Sequence, residues 1–285
     1  GKGEFLMLLR ESGAADGVGF DPAYVPARNT SPAADRARFV RDFYSEKYEA
    51  EKADFYCCKM TLEHIHPVEE FVSTVRKAVG DASEATIFFQ VPDTVRILEE
   101  CAFEDVYYEH CSYFSPGSLA RVFRRAGFRV DHVASEYAGQ YLTIEAGLGD
   151  DAPPHEAEGD LAAVTTAAAD FRTRCAAKIA AWRAKLDELA GRGAPTVIWG
   201  SGSKGVSFLS TLGVGDEVAG AVDINPHRQG HYMSGSAHPI LSPEQLREVK
   251  PGSVVVMNSI YVDEISAQLS ELGLSPEILT LESVS

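Results

Sequence analysis

The chain has 285 residues, enough for two domains of ordinary size. Apolar residues make up 45% and charged residues 24%, an ordinary globular balance, and no apolar run approaches the roughly 20 residues of a membrane span. The formal charge of −16 argues against a nucleic-acid partner but leaves room for a phosphorylated small molecule held by a local basic group or backbone N–H groups.

The opening Gly1-Lys2-Gly3-Glu4-Phe5-Leu6 reads as the loop and helix start that normally follow a buried strand, so a strand is expected upstream. A chain that simply starts on a helix is the other reading. Residues 5–9 predict a helix, 15–20 a short strand ending at Asp21-Pro22, and 38–40 another strand. The run 53–60 (ADFYCCKM) is almost continuously apolar, as in a central parallel strand covered on both faces, and Cys57 and Cys58 are expected in the core. Residues 67–79 have helical spacing, with Phe71, Val75 and Val79 on one face. Residues 85–91 predict a strand stopped by Pro92, 119–126 a helix, and 129–135 and 140–146 a pair of late strands. The Gly-, Pro- and acid-rich stretch 147–159 is the expected boundary. Residues 161–189 predict an amphipathic connecting helix striped by Phe171, Cys175, Ile179, Trp182 and Leu186. Strands over 196–199, 218–223, 253–258 and 278–281, with a helix over 206–212, then form a second unit. Strands alternating with helices predict a doubly wound α/β fold, divided as 1–150, a connecting helix in 151–192, and 193–285.

Five scattered cysteines without a C-x-x-C pair predict no metal site in this chain and fit a reducing, cytoplasmic compartment with buried thiols. The chemistry concentrates in Tyr107-Tyr108-Glu109-His110-Cys111-Ser112-Tyr113-Phe114. There a His able to accept a proton near neutral pH sits beside a carboxylate and three phenols. Such a cluster suits removal of a proton from carbon next to a carbonyl, with Tyr donating to the oxyanion. An aromatic strand with one satisfied His is the bland reading. Two glycine loops also stand out. Gly1 and Gly3 precede Asp21, and Gly200, Gly202 and Gly205 precede Asp223. Each pairs backbone N–H groups with an acid able to grip ribose hydroxyls. The first favours S-adenosylmethionine; the second matches the dinucleotide fingerprint and favours a nicotinamide cofactor.

Several segments together resemble one family. Gly1 to Phe5 resembles the glycine motif of S-adenosylmethionine-dependent methyltransferases, and Asp21-Pro22 their ribose-binding acid. Leu62-Glu63-His64-Ile65-His66-Pro67 and Phe89-Gln90-Val91-Pro92-Asp93 resemble the segments at their fourth and fifth strands. The narrower resemblance is to the sugar C-methyltransferases of deoxysugar biosynthesis. It rests on Tyr107 to Phe114 (Y-x-E-H-x-S-Y-F), on the loop from Gly200 to Gly205, on Asn225-Pro226-His227-Arg228-Gln229-Gly230-His231-Tyr232, and on NSIYVDEI at 258–265.

That resemblance implies a methyltransferase domain and a second Rossmann-like domain. It implies methyl transfer from S-adenosylmethionine to a carbon, typically carbon 3, of a nucleotide-linked (dTDP-type) 4-keto-6-deoxysugar through an enolate. His110 would be the base, Glu109 would bind the sugar or tune His110, Tyr107 would face the ketone oxygen, and His64 would stand across the cleft. Gly1, Gly3 and Asp21 would hold the cofactor, with Asp42 or Phe43 at its adenine and Lys59 and Met60 at its methionine end. Lys204 and Arg228 would meet the diphosphate. The family's zinc-binding part, with paired cysteines, is expected in an N-terminal region this chain lacks. An O- or N-methyltransferase of the same layout, a nicotinamide oxidoreductase built on 200–205, and a non-catalytic module are the competing readings. The chain is expected as a monomer or weak oligomer.

Overall fold

The computed structural model describes residues 3–32, 34–81, 84–149 and 152–284. The first half begins with helix α1 (Glu4–Glu11) and two short strands, β1 (Val18–Phe20) and β2 (Arg38–Val40), which pair in parallel. Strands β3 (Phe55–Lys59), β4 (Thr86–Pro92), β5 (Phe128–Glu136) and β6 (Tyr141–Leu148) form a second sheet in the order β3-β4-β6-β5. Its β3–β4 pair is parallel, and β6 runs antiparallel to both neighbours. The expected sheet is therefore in two pieces, and among the described residues no strand bridges β1 and β3. Helices α2 (Val68–Val79) and α4 (Pro116–Arg125) help build its core, where Val72, Ile87, Phe89, Phe123 and Ile144 are buried. Short helix α3 (Thr94–Glu100) follows β4, started by the Asp93 side chain accepting from the N–H of Val95.

The apolar run at 53–60 misled in one respect. Strand β3 lies at a sheet edge, paired only with β4, so its residues alternate between exposed and half-buried. Cys57 and Cys111 are exposed and Cys58 is half-buried, against the expectation of core thiols.

Helix α5 (Leu161–Gly191) connects the halves, as its stripe predicts. Trp182 and Leu186 are fully buried, and the half-buried Cys175 and Ile179 pack on the same core. Lys178, outside the stripe, is buried too and donates to the carbonyl of Glu100 at 2.9 Å. The boundary stretch is anchored rather than loose: Glu158 accepts from Arg124 at 2.8 Å, and Asp160 accepts from the N–H of Gly117 at 2.9 Å.

The second half carries β7 (Thr196–Trp199), α6 (Ser203–Leu212), β8 (Gly220–Val222), β9 (Ile240–Leu241), α7 (Leu246–Val249), β10 (Ser253–Val256), α8 (Val262–Glu271) and β11 (Glu277–Thr280). Its sheet, in the order β11-β10-β7-β8-β9, is parallel throughout. Both faces are covered, so strand residues such as Val197, Ile198, Val254 and Val255 are fully buried, as parallel sheets require. No helix among the described residues is long and apolar enough to cross a membrane.

Candidate active site

The segment 106–115 leaves a short helical turn, Phe103–Asp105, and enters α4 at the Ser115 cap. The tip of the loop is tied to another turn, Leu62–His64, just after β3: the carbonyl of Glu63 accepts the N–H groups of Cys111 at 2.9 Å and Ser112 at 3.1 Å. These bonds bring together two histidines far apart in sequence. The His64 and His110 rings lie 4.9 Å apart, edge to face, and the Tyr107 ring covers His110 at 4.3 Å. Tyr113 stands 6.0 Å away on another side.

Burial pushes the His110 imidazole below its usual range, and the nearby His64 pushes it further. The ring is thereby held neutral at physiological pH, with a lone pair available to accept a proton. Burial raises the Tyr107 phenol, a shift eased by a hydrogen bond with Ser203 from the second half. Tyr107 stays protonated and able to donate. Glu109 is exposed, and its backbone carbonyl rather than its carboxylate meets His64, 3.2 Å from Nδ1.

Beneath the histidines lies a residue that the sequence reading passed over. Glu63 is 1% exposed, and neither of its carboxylate oxygens has a hydrogen-bond partner. One oxygen is 3.9 Å from His64 Nε2. Glu63, His64 and His110 each offer a donor atom within 4.8 Å of the others, a two-His-one-carboxylate set that a divalent metal accepts. This is the one such grouping among the described residues, and it was not foreseen. Its signal was an acid within the Leu62-Glu63-His64 motif, on the buried side of the turn.

Among the cofactor candidates, Asp21, Asp42, Phe43, Lys59 and Met60 lie at the C-terminal ends of β1, β2 and β3, where α/β sheets bind ligands. Gly1 lies outside the described residues. Gly3 caps α1 at φ 82°, and a Cβ there would come 2.6 Å from the Phe39 ring, so only glycine fits. Asp21 follows β1, with Oδ1 accepting from the N–H of Ala23 at 2.7 Å. Asp42 follows β2 and is held at about 2, first by its hydrogen bond with Lys47 at 2.8 Å and then by Tyr48 at 2.7 Å. Phe43 beside it is 74% exposed. Lys59 stands over the Phe5 ring at 4.7 Å, and Met60 turns at φ 48° with its N–H on the carbonyl of Gln90.

The proposed diphosphate ligands are not brought together. Lys204 Nζ lies 3.0 Å from Asp105, an acid that also binds Arg96. Arg228 lies 3.1 Å from Asp223. Asp223 also accepts from Ser201 and from the N–H of Asn225. The backbone of the second glycine loop packs closely, since a Cβ at Gly205 would meet the carbonyl oxygen of Gly200 at 2.3 Å. The loop faces the first half: besides Ser203 and Lys204, Gln140 donates to Asn258 at 3.0 Å, and the Tyr137 and Tyr261 hydroxyls meet at 2.6 Å.

Residues 1–133 match a family model described as a methyltransferase domain, and residues 153–275 match one described as a C-methyltransferase C-terminal domain. The chain is 29% identical over 294 residues to the C-methyltransferase NovU of Streptomyces niveus, covering 92% of this chain and 66% of that protein. It thus spans a little under two thirds of this relative's length. Among solved structures, magnesium protoporphyrin IX methyltransferase from Synechocystis PCC 6803, with bound SAH, covers 52% of this chain and 69% of its own at 16% identity and a TM-score of 0.35. A Pyrococcus horikoshii OT3 protein covers 51% and 77% at 12% identity and a TM-score of 0.40. These distant likenesses carry no functional argument. In chain order the matches are a methyltransferase domain followed by a C-methyltransferase C-terminal domain.

Proposed function

We propose that this chain is the catalytic portion of a C-methyltransferase that takes a methyl group from S-adenosylmethionine to a carbon next to a ketone, C-3 of a nucleotide-linked 4-keto-6-deoxysugar. The observation that carries this reading is the His110 imidazole, held neutral by burial and His64 and flanked by the Tyr107 phenol. A carbon acid needs a base and an oxyanion donor at one spot; oxygen or nitrogen nucleophiles need less.

His110 takes the proton from the carbon beside the ketone. Tyr107 donates to the ketone oxygen as charge gathers there. Glu109, exposed at the loop tip, contacts the sugar, and His64 closes the opposite side. When bound, S-adenosylmethionine supplies the electrophilic methyl group that the enolate carbon attacks. The residues present fit it: Gly3 leaves no side chain in the way, Asp21 suits the ribose hydroxyls, Asp42 and Phe43 the adenine end, and Lys59 and Met60 the methionine end. Arg228, half exposed beside Gly202, is the better candidate for the diphosphate. Lys204 serves the link to Asp105.

The nicotinamide reading has less support, because Asp223 already holds Ser201 and Arg228. Calorimetry with S-adenosylhomocysteine and with NAD separates the two; binding of NAD alone overturns the proposal. Deuterium exchange at the sugar carbon then tests the base. His110→Asn is expected to slow exchange and methyl transfer together by about 10²–10⁴-fold, and an unchanged exchange rate removes His110 from the role.

A further inference from the structure

We propose that Glu63, His64 and His110 form a binding site for a first-row divalent cation of the Zn²⁺ class, and that a cation bound there takes His110 out of proton transfer. The site itself stands on geometry alone. Its effect on the reaction rests on the base role of His110 argued above.

Four observations carry it. The Glu63 side chain is 1% exposed, yet neither carboxylate oxygen has a hydrogen-bond partner. Buried acids in that condition are rare, and buried charges are ordinarily paired or bound to metal. Next, the atom facing the carboxylate is itself an acceptor. His64 Nδ1 lies 3.2 Å from the carbonyl oxygen of Glu109. A carbonyl only accepts, so the neutral ring keeps its hydrogen on Nδ1 and leaves a lone pair on Nε2. That Nε2 is 3.9 Å from the Glu63 carboxylate. Two acceptors thus face each other across a gap that only a cation or a proton makes favourable. The N–H on a backbone carbonyl is also the support that fixes ring and tautomer in a ligating imidazole. Third, His110 offers a donor atom within 4.8 Å of the other two, and its Nδ1 is buried without a partner. Finally, the Glu63 carbonyl holds the N–H groups of Cys111 and Ser112, so the two segments that carry the donors are bonded together.

Two imidazoles and one carboxylate select Zn²⁺, Co²⁺ or Fe²⁺ over Mg²⁺ and Ca²⁺, which prefer oxygen ligands throughout. Around a tetrahedral ion with bonds of about 2.0–2.2 Å the donors must close in by roughly an ångström. His64 is exposed, so its ring has room to turn inward and the ion has a way in. Three protein donors leave a fourth position for water. The Cys111 thiol, 3.3 Å from the Glu63 carbonyl, is the soft donor nearby, and the test has to tell sulfur from nitrogen. The effect on the reaction follows from lone pairs. A neutral imidazole has one to give; spent on the ion, it cannot accept the C–H proton. Occupancy and proton abstraction at His110 therefore exclude each other.

The test is calorimetric titration of the untagged, chelator-treated full chain with Zn²⁺. One ion per chain is expected. In protein carrying labelled histidine, the His64 and His110 ring signals are expected to shift together as Zn²⁺ is added, with His64→Gln and His110→Gln assigning them. Glu63→Gln keeps the size and loses the anionic donor. It is expected to weaken binding by more than the roughly 10–100-fold typical of losing a residue that only supports a ligand. His64→Gln, at an exposed position, is expected to do the same and does not depend on the buried variant folding. Co²⁺ in place of Zn²⁺ is expected to give visible bands without the near-ultraviolet charge-transfer band of a thiolate ligand. Absence of binding, binding that leaves either ring signal in place, binding undiminished in both variants, or a thiolate band overturns the site. Deuterium exchange at the sugar carbon is expected to fall with Zn²⁺ occupancy and to return with chelator; full exchange at full occupancy overturns the effect on the base. If the metal-free chain shows no exchange, the base role falls, while the Zn²⁺ titration still decides the site.

Discussion

Phe103 belongs to the first half by sequence and to the second by packing. It is 4% exposed and stacks on Phe208 of α6, 6.1 Å between centroids and 19° between planes, within the core that also holds Trp182 and Leu186. Its carbonyl accepts from the Ser207 hydroxyl at 3.4 Å. The segment 106–115 begins three residues later, so Phe103 pins that segment to the second half. Phe103→Ala is expected to cost about 3–5 kcal/mol, the range for a buried Phe truncated to Ala, which includes transfer, cavity and the ~0.5–1.5 kcal/mol special to aromatic pairs. Phe103→Leu keeps most of the volume and is expected to cost about 1–1.5 kcal/mol. Urea unfolding read by tryptophan fluorescence suits the question, because both tryptophans, Trp182 and Trp199, lie in α5 and β7. A loss below about 1 kcal/mol for Phe103→Ala, against total stabilities of about 5–15 kcal/mol, refutes the claim that this ring holds the halves together.

Glu104, next in the same turn, is 2% exposed with Oε2 unpartnered, and burial pushes it up to about 6. The folded chain therefore holds this proton more tightly than the unfolded chain, and stability falls as pH rises from about 4.5 through 6. The loss is about 2 kcal/mol by linkage. Glu104→Gln is expected to match the wild type at pH 4 and exceed it by up to that amount at pH 8; melting curves that run parallel across this range refute the assignment. Gly205→Ala forces a methyl group against the Gly200 carbonyl and Ile198, and is expected to cost about 1–3 kcal/mol by overpacking while leaving S-adenosylhomocysteine affinity intact. A variant as stable as the wild type refutes this close packing.

The alternation of strands and helices was legible because each rests on local periodicity. The α5 stripe, for example, predicts 161–189 against the observed Leu161–Gly191. What local pattern does not encode is sheet order. An apolar run reads alike at a sheet centre and at an edge, so β3 looked central and is not. The two-residue β9 and the short α3 carry too little periodicity to register. The same division runs through the site. Tyr107, Glu109 and His110 were legible together because four residues of one loop hold them, whereas Glu63 meets His110 only after the turn that follows β3 and the segment 106–115 are bonded across the fold.

Lys204 shows how composition misleads. In a chain with 26 basic and 42 acidic side chains, a lysine in a glycine loop looked like a scarce cation kept for phosphate. The surplus of acid implies the opposite. Each buried or half-buried carboxylate that stays charged must find a partner or shift its titration, so cations are drawn to acids of the chain first. Lys204 sits on Asp105, Arg228 on Asp223 and Arg124 on Glu158. Glu63 and Glu104 find no cation within hydrogen-bonding reach and titrate high instead. In so acidic a protein the informative residue is the buried acid left over, and at this site it lies under the histidines.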